Sequence, residues 1–300
     1  MSDWKKYMDE SDAFAASLPE KPHKIYDVDP YVMVFDNPEY PQIHHLYFDA
    51  HSKGAGAWMH LIEGETHAML IDTAFGIGNL RGLVETLTDK PIIVVNTHFH
   101  GDHSAGNSQF ERVYCHKYDI PYLVASQAGN RMLPPAEYFR AEDVVPNEPY
   151  EIAEMVDGDR FELGPDHVVE VIHMPGHAAG GCMFLDHKTN FLFSGDAIVF
   201  TPTLILGRFP NPHYPEYLTV TSFCEALKAA MPRLQNVRKL YTGHSVQGIS
   251  PVYLQDMVAC CEKVIAHPEQ YELYDYVPDP AQKQIMCVGH AMIVYSNDRI

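Results

Sequence analysis

Asn96-Thr97-His98-Phe99-His100-Gly101-Asp102-His103 comes directly after the apolar run Pro91-Ile92-Ile93-Val94-Val95. That run is short and uninterrupted, the pattern of a strand buried on both faces. The segment beyond it is dense in cation-binding groups. His98 and His100 stand two apart, so in an extended segment their side chains leave on the same side. Gly101 lets the chain turn sharply and brings Asp102 and His103 back toward the pair. In open α/β sheets, sites form at the carboxyl ends of strands. Four ligand-type side chains converging on such an end predict a metal site, and a solvated loop gives no reason for their density and order.

Three further pieces lie downstream. Met174-Pro175-Gly176-His177 puts a histidine in a Pro-Gly turn after the β-like residues 168–173. Phe193-Ser194-Gly195-Asp196 ends an apolar run on a carboxylate, and Tyr241-Thr242-Gly243-His244 ends another on a histidine. Each comes after a strand-like run and sits beside a glycine. Taken singly, His177 or His244 reads as an ordinary polar residue; in this order, with the first motif, the set is specific.

The four pieces resemble the metallo-β-lactamase fold superfamily, whose members carry HxHxDH, a PGH-type histidine, a GD aspartate and a final GH histidine. The resemblance runs from about residue 30 to residue 300. It implies an α/β protein, a four-layer αββα sandwich over residues 26–300; residues 1–25 lie outside the resemblance and read, from their own pattern, as a polar helical extension. It implies a first zinc on His98, His100 and His177, a second on Asp102, His103 and His244, and Asp196 bridging the two with a water or hydroxide. Two Zn2+ ions are expected, though Fe or Mn also accept such donors. Asp72, in Leu70-Ile71-Asp72-Thr73, resembles the carboxylate that orients a metal-binding histidine; a loop or cap aspartate is the alternative.

The implied reaction is hydrolysis of an ester, lactone, thioester or related small-molecule bond by the bridging hydroxide, with Asp102 taking or relaying the proton. Typical zinc β-lactamases lack a bridging carboxylate at the Asp196 position, so β-lactam hydrolysis is expected only as a promiscuous activity. Flavin-linked di-iron members carry glutamate where this chain has His100. A mononuclear-iron sulfur dioxygenase, using His98, His177 and Asp196, is the alternative from another reaction class. A binding protein that had lost catalysis would be expected to lack ligands, and all seven positions are filled.

Composition narrows the partners. Lys and Arg total 21 against 40 Asp and Glu, a formal charge of -19, which repels phosphate backbones and excludes nucleic acid as an expected partner. The chain holds 18 histidines, and their placement, not their number, carries the argument. The six scattered cysteines form no CxxC pair and read as reduced thiols of a cytoplasmic protein. Residues 1–24 lack an apolar core of signal-peptide length, and no run approaches a membrane span. A soluble protein acting on a small molecule is expected, with a homodimer left open.

Residues 57–62 and 67–72 predict a hairpin, and helices are expected over 103–110, 116–127, 215–231 and after Ser250-Pro251. Residues 285–296 read as a final hairpin or edge strand. Trp58 to Asp72 and Cys182 to Asp196 each run from a strand through a turn to a terminal aspartate, as in a fold of two similar halves. Arg208, His213 and Tyr214, just beyond Asp196, are the candidate substrate contacts. The loop Asp49–Gly56 is a candidate flap with Gly54 and Gly56 as its hinges, and Tyr138 and Phe139 are candidate caps of an apolar pocket.

Overall fold

The computed structural model describes residues 3–51, 56–127, 133–134, 136–207, 212–275 and 283–300. Helix α1 (Asp3–Ser17) leads into a run of strands, β1 (Lys24–Tyr26), β2 (Asp29–Asp36), β3 (Ile43–Phe48), β4 (Ala57–Glu63) and β5 (Ala68–Ile71). Next come helix α2 (Leu80–Leu87), β6 (Ile92–Val95), the short α3 (Gly101–Ser104), β7 (Arg112–His116), α4 (Ile120–Gln127) and β8 (Glu151–Met155). The second half contains β9 (Arg160–Gly164), β10 (His167–His173), β11 (Cys182–Asp186), β12 (Phe191–Gly195), β13 (Thr203–Ile205), α5 (Val220–Ala230), β14 (Lys239–Thr242) and α6 (Val252–Ala266). Strands β15 (Glu272–Tyr274), β16 (Lys283–Val288) and β17 (Ala291–Tyr295) complete it.

Strands β1 to β8 form one sheet in chain order, and β14-β12-β11-β10-β9 form a second. Strand alternation explains how they stack. In β10, Val169 and Val171 join Ile62, Ile71 and Val95 of the first sheet in a shared apolar layer, while Ile172 faces the opposite way. There it meets Phe223 and Leu227 of α5 and Met257 of α6. On the outer face of the first sheet, Leu46, Met59 and Leu70 receive Leu80, Leu83 and Val84 of α2. The layers are therefore helix, sheet, sheet, helix, the expected αββα sandwich. A third sheet, β13-β17-β16-β15, packs Met286 and Ile293 against α6.

The two hairpins of the internal echo are real. β4 pairs antiparallel with β5 and β11 with β12, and they end at Asp72 and Asp196 respectively. β5 runs parallel to β6, and β12 parallel to β14. Their carboxyl ends bring Asp72, residues 98–103, Asp196 and His244 to one edge of the sandwich. β10, two antiparallel steps from β12, points the same way and adds His177.

Several local expectations change. Residues 103–110 are not one helix: α3 stops at Ser104 and a single 3-10 turn covers Asn107–Gln109, because Asn107 is drawn inward to hydrogen bond Asn96. Residue 116 ends a strand, β7, with Val113 and Cys115 turned into the core, and α4 begins only at Ile120. In the 215–231 stretch the helix waits until Val220, where Thr219 accepts the Ser222 N–H at 3.0 Å as its cap. α6 begins at Val252, one residue later than expected, with Pro251 in the cap position. Cys260 and Cys261 are both fully buried, since α6 is covered by α5 on one side and by β16 and β17 on the other. All six cysteines are free. No helix of the described residues is long and apolar enough to cross a membrane.

Candidate metal centre

Two of the glycines beside the candidate ligands, Gly195 and Gly243, are there for space; at Gly101, the first residue of α3, a Cβ would meet nothing within 4 Å and φ is not positive, so the turn expected of that glycine does not depend on it. A Cβ on Gly243 would collide with Asp196 Oδ1 and with His103 Cε1, and one on Gly195 would strike Thr97, at a φ of +50°. With those side chains absent, the strand ends close on one another. His98, His100 and His177 form one group of donor atoms, and Asp102, His103 and His244 a second, with each group's donor atoms within 4.8 Å of one another. Asp196 spans them. Its Oδ2 lies 3.5 Å from His177 Nε2 and 3.4 Å from His244 Nε2, and its Oδ1 lies 3.4 Å from His103 Nε2.

The outward-facing ring nitrogens determine what this cluster can hold. His177 Nδ1 donates to Leu204 O at 2.8 Å, and His244 Nδ1 to Gly56 O at 2.7 Å. His103 Nδ1 donates to Asp72 Oδ2 at 2.9 Å. Thr97 Oγ1 donates to the same Asp72 oxygen at 2.7 Å, so it receives the His98 Nδ1 proton at 3.0 Å. These assignments rest on the hydrogen-bond network. They leave the Nε2 lone pairs of all four rings turned inward, onto other nitrogens. His100 Nδ1 sits 2.9 Å from both His98 Nε2 and His177 Nε2, and His103 Nε2 sits 3.1 Å from His244 Nε2. Asp196 Oδ1 is buried without a hydrogen-bond partner. Converging lone pairs and an orphaned carboxylate oxygen fit divalent cations, and the donor set suits zinc.

The protonation tendencies agree. Burial, with neighbouring histidines, holds His98 well below the usual imidazole range, and burial lowers His100 to about 3. Burial also opposes charge on His103 and His244, but there the carboxylates win. Asp196, Asp102 and Asp72 raise His103 to about 9, and Asp196 with Asp102 raises His244 well above its ordinary value. Carboxylates that hold protons on two buried rings would hold cations in their place.

Asp72 is not a loop cap. It accepts the Thr97 N–H at 2.7 Å, the Thr97 hydroxyl and the His103 ring, in a left-handed conformation at φ +65°. Sequence reasoning missed Asp119. This fully buried carboxylate accepts Phe99 N–H at 3.0 Å and Gly180 N–H at 2.7 Å, tying the first histidine loop to the His177 loop. Burial pushes its pKa up to about 7, against the pull of those two bonds. It also missed the buried Asn96–Asn107–Thr73 network, in which Asn96 Nδ2 and Thr73 N both donate to His103 O.

The candidate substrate contacts fare differently. Arg208 lies outside the described residues. His213 and Tyr214 are exposed, and neither is brought into the two donor groups. The His213 ring sits edge-on to Tyr122 at 5.1 Å, Tyr122 stacks on Phe99 at 4.1 Å, and Phe99 abuts His100 at 4.6 Å. Tyr214 packs on Tyr118 at 4.6 Å. Together they form an aromatic flank to the His100 side. Of the candidate flap, residues 52–55, Gly54 included, lie outside the described residues, and Gly56 anchors His244 through its carbonyl. Tyr138 is exposed and stacks on His51 at 4.2 Å, while Phe139 packs against the outer core.

Comparison with known proteins agrees with this architecture. The profile of the metallo-beta-lactamase superfamily matches residues 54–244. The human acyl-coenzyme A thioesterase MBLAC2 is 30% identical over 216 residues, covering 63% of this chain and 72% of the relative. The atrochrysone carboxyl ACP thioesterase AacuM of Aspergillus aculeatus is 25% identical over 137 residues, covering 44% of this chain and 36% of that protein. Among solved structures, the DIM-1 metallo-beta-lactamase superposes with a TM-score of 0.55 at 16% identity, covering 79% of this chain and 99% of that one, a likeness of fold. With its sandwich, its strand-end donor groups and the profile match in agreement, the chain belongs to the metallo-beta-lactamase superfamily and is a metal-dependent hydrolytic enzyme.

Proposed function

We propose that this enzyme is a dinuclear zinc thioesterase, hydrolysing acyl thioesters. The observation that carries the dinuclear reading is the pair of donor groups with Asp196 between them. His98, His100 and His177 would hold one ion, Asp102, His103 and His244 the other, and Asp196 both. The names of the two thioesterase relatives support the choice of bond. A mononuclear iron centre on His98, His177 and Asp196 would leave the second group without a role.

Two divalent cations so held supply Lewis acidity for a thioester carbonyl and lower the pKa of water. The chain's own contributions are positional and acid–base. Asp72, Thr97, Leu204 O and Gly56 O fix four imidazoles in one tautomer, so no reorganisation is needed as charge develops. Asp102 keeps its side chain 18% exposed at the mouth of the cluster, with Oδ2 3.2 Å from His244 Nε2. In this reading Asp102 accepts the proton of the attacking water and passes it to the departing thiolate.

The test is a panel of acyl thioesters, lactones, phosphodiesters and β-lactams with the zinc-loaded chain. Thioesters are expected to give the highest kcat/KM. A preference for lactones or phosphodiesters, with thioesters untouched, would overturn the choice of bond.

A further inference from the structure

We propose that Asp119 is the positioning residue of the three-histidine group: it sets how far the His98–His100 segment stands from His177, and so the affinity for the ion held between them. The inference rests on the two-ion reading and assigns to one half of that centre a residue outside the seven candidate ligands.

Asp119 stands immediately before α4, where an aspartate ordinarily caps the helix with its side chain. Here the side chain is turned elsewhere. Oδ2 accepts Phe99 N–H at 3.0 Å and Oδ1 accepts Gly180 N–H at 2.7 Å, and neither donor belongs to α4. The main-chain carbonyl of Asp119 joins the helix, accepting the N–H groups of Tyr122 and Leu123. Phe99 stands between two members of the group, and Gly180 follows the third by three residues. One carboxylate thus bridges the two segments that carry the whole group. Hydrogen bonds to an ionised acceptor are among the stronger ones, and these grip the backbone from which the imidazoles project.

The close approach is built into the chain. A Cβ on Gly180 would lie 2.6 Å from Asp119 Cγ and 2.7 Å from Oδ1, so glycine admits the carboxylate to that N–H where alanine would push it away. Asp119 is fully buried, and no solvent stands by to replace its bonds. Phe99, Cys115, Leu123 and Ala178 share one apolar cluster, so the two segments are packed together as well as bonded.

The ties divide by group. Nearer the strands, the same two segments are joined by Cys182 N–H to Thr97 O at 2.7 Å, and the turn that carries His177 is closed by Met174 N–H to Gly181 O at 2.7 Å. Those bonds do not involve Asp119, and they hold the fold when it is replaced. The second group has other holders. Asp72 and Gly56 O fix the rings of His103 and His244, while Asn96 Nδ2 and Thr73 N donate to His103 O. Loosening the Asp119 bridge is therefore felt at the first group.

The experiment measures zinc affinity of the full chain by competition with a chromogenic chelator, in two backgrounds that each leave one group complete. His244→Ala keeps His98, His100 and His177; His177→Ala keeps Asp102, His103 and His244. Asp119→Asn is added to each, retaining the shape and one acceptor oxygen but setting an amide NH2 against the other N–H. Gly180→Ala repeats the test from the partner's side, and Trp4→Ala, in a separate apolar cluster, controls for lowered stability. In the His244→Ala background, Asp119→Asn is expected to weaken zinc binding about 10–100-fold, the range for residues that orient metal ligands. The visible absorption of cobalt bound there is expected to change with it. In the His177→Ala background both readouts are expected to stay as they were. Equal weakening in both backgrounds, weakening of the same size from Trp4→Ala, or no weakening in the first would overturn the proposal. So would a His244→Ala chain that takes up no zinc, because the three histidines would then be no site of their own. A wild type that binds a single zinc, lost with His177→Ala and weakened by Asp119→Asn, would uphold the role of Asp119 and overturn the two-ion reading alone.

Discussion

Asp72 and Asp102 lie on opposite sides of His103, and their roles divide accordingly. Asp72 is buried behind the ring, 2.9 Å from Nδ1, and is saturated by Thr97. Asp102 stands before the ring, 3.7 Å from Nε2, and reaches solvent. A carboxylate needed only to hold metal can be compensated by more metal; one that also takes a proton cannot. Asp102→Asn is therefore expected to regain zinc in excess zinc yet remain at least about 100-fold slower, within the range for loss of a general base. Metal content and turnover measured side by side across pH check this, and full recovery of turnover would assign Asp102 to metal binding alone. The seven candidate ligand positions were legible in the sequence because few residue types bind transition metals and because strand ends order them. Asp119 was not. A carboxylate that accepts backbone N–H groups from Phe99 and Gly180 leaves no local pattern, since its partners are 20 and 61 residues away.

Strands β3 and β4 of the first sheet and β14 of the second bury a polar chain between them. Asn37 Nδ2 donates to Tyr241 Oη at 2.7 Å and contacts His45 Nε2 at 3.0 Å, and His45 Nδ1 meets His60 Nδ1 at 2.9 Å. Burial, with the neighbouring His60, holds His45 well below the ordinary imidazole range, and burial lowers His60 to about 3. Above an ordinary imidazole pKa of about 6.5, neither the folded nor the unfolded state protonates these rings, and they impose no charge penalty. As pH falls below that value the unfolded chain takes up protons that the fold refuses, so stability is lost. Each histidine contributes a slope of about 1.4 kcal/mol per pH unit down to its folded pKa. Urea unfolding of chelator-treated protein from about pH 6.5 down to about pH 4 is expected to show this loss, and His60→Gln to lessen it by one histidine's share. Parallel slopes for the two proteins would contradict it. At this scale the hairpins and the buried β6 were readable from unbroken apolar runs. β7 and β8 were not, because Arg112, Glu151 and Glu154 interrupt segments of only five residues, and the pairing partner rather than local pattern makes them strands.

Across the whole molecule, α1 joins parts that the sequence suggested were separate. Residues 1–25 carry none of the motif pieces and read as a polar lead-in, yet Trp4 and Met8 pack with Ile285, Met292 and Val294 of the third sheet. Leu18 packs with Met33, Tyr47 and Trp58 of the first. A buried tryptophan on a mostly polar helix gives little amphipathic signal, which is why its packing was not legible. Trp4→Ala is expected to cost about 3–5 kcal/mol in urea unfolding, with zinc content of the folded protein unchanged. A loss under about 1 kcal/mol would place α1 outside the cooperative unit. The αββα architecture itself was readable only through the resemblance, because layer order depends on which sheet face each helix covers. The central claim, a two-ion centre that hydrolyses thioesters, is tested most directly by titrating metal-free full chain with zinc while following thiol release from an acyl thioester. The account predicts activity that climbs to a plateau at two equivalents of zinc per chain. A plateau at one equivalent, or turnover that appears only with ferrous iron and consumes oxygen, would contradict it.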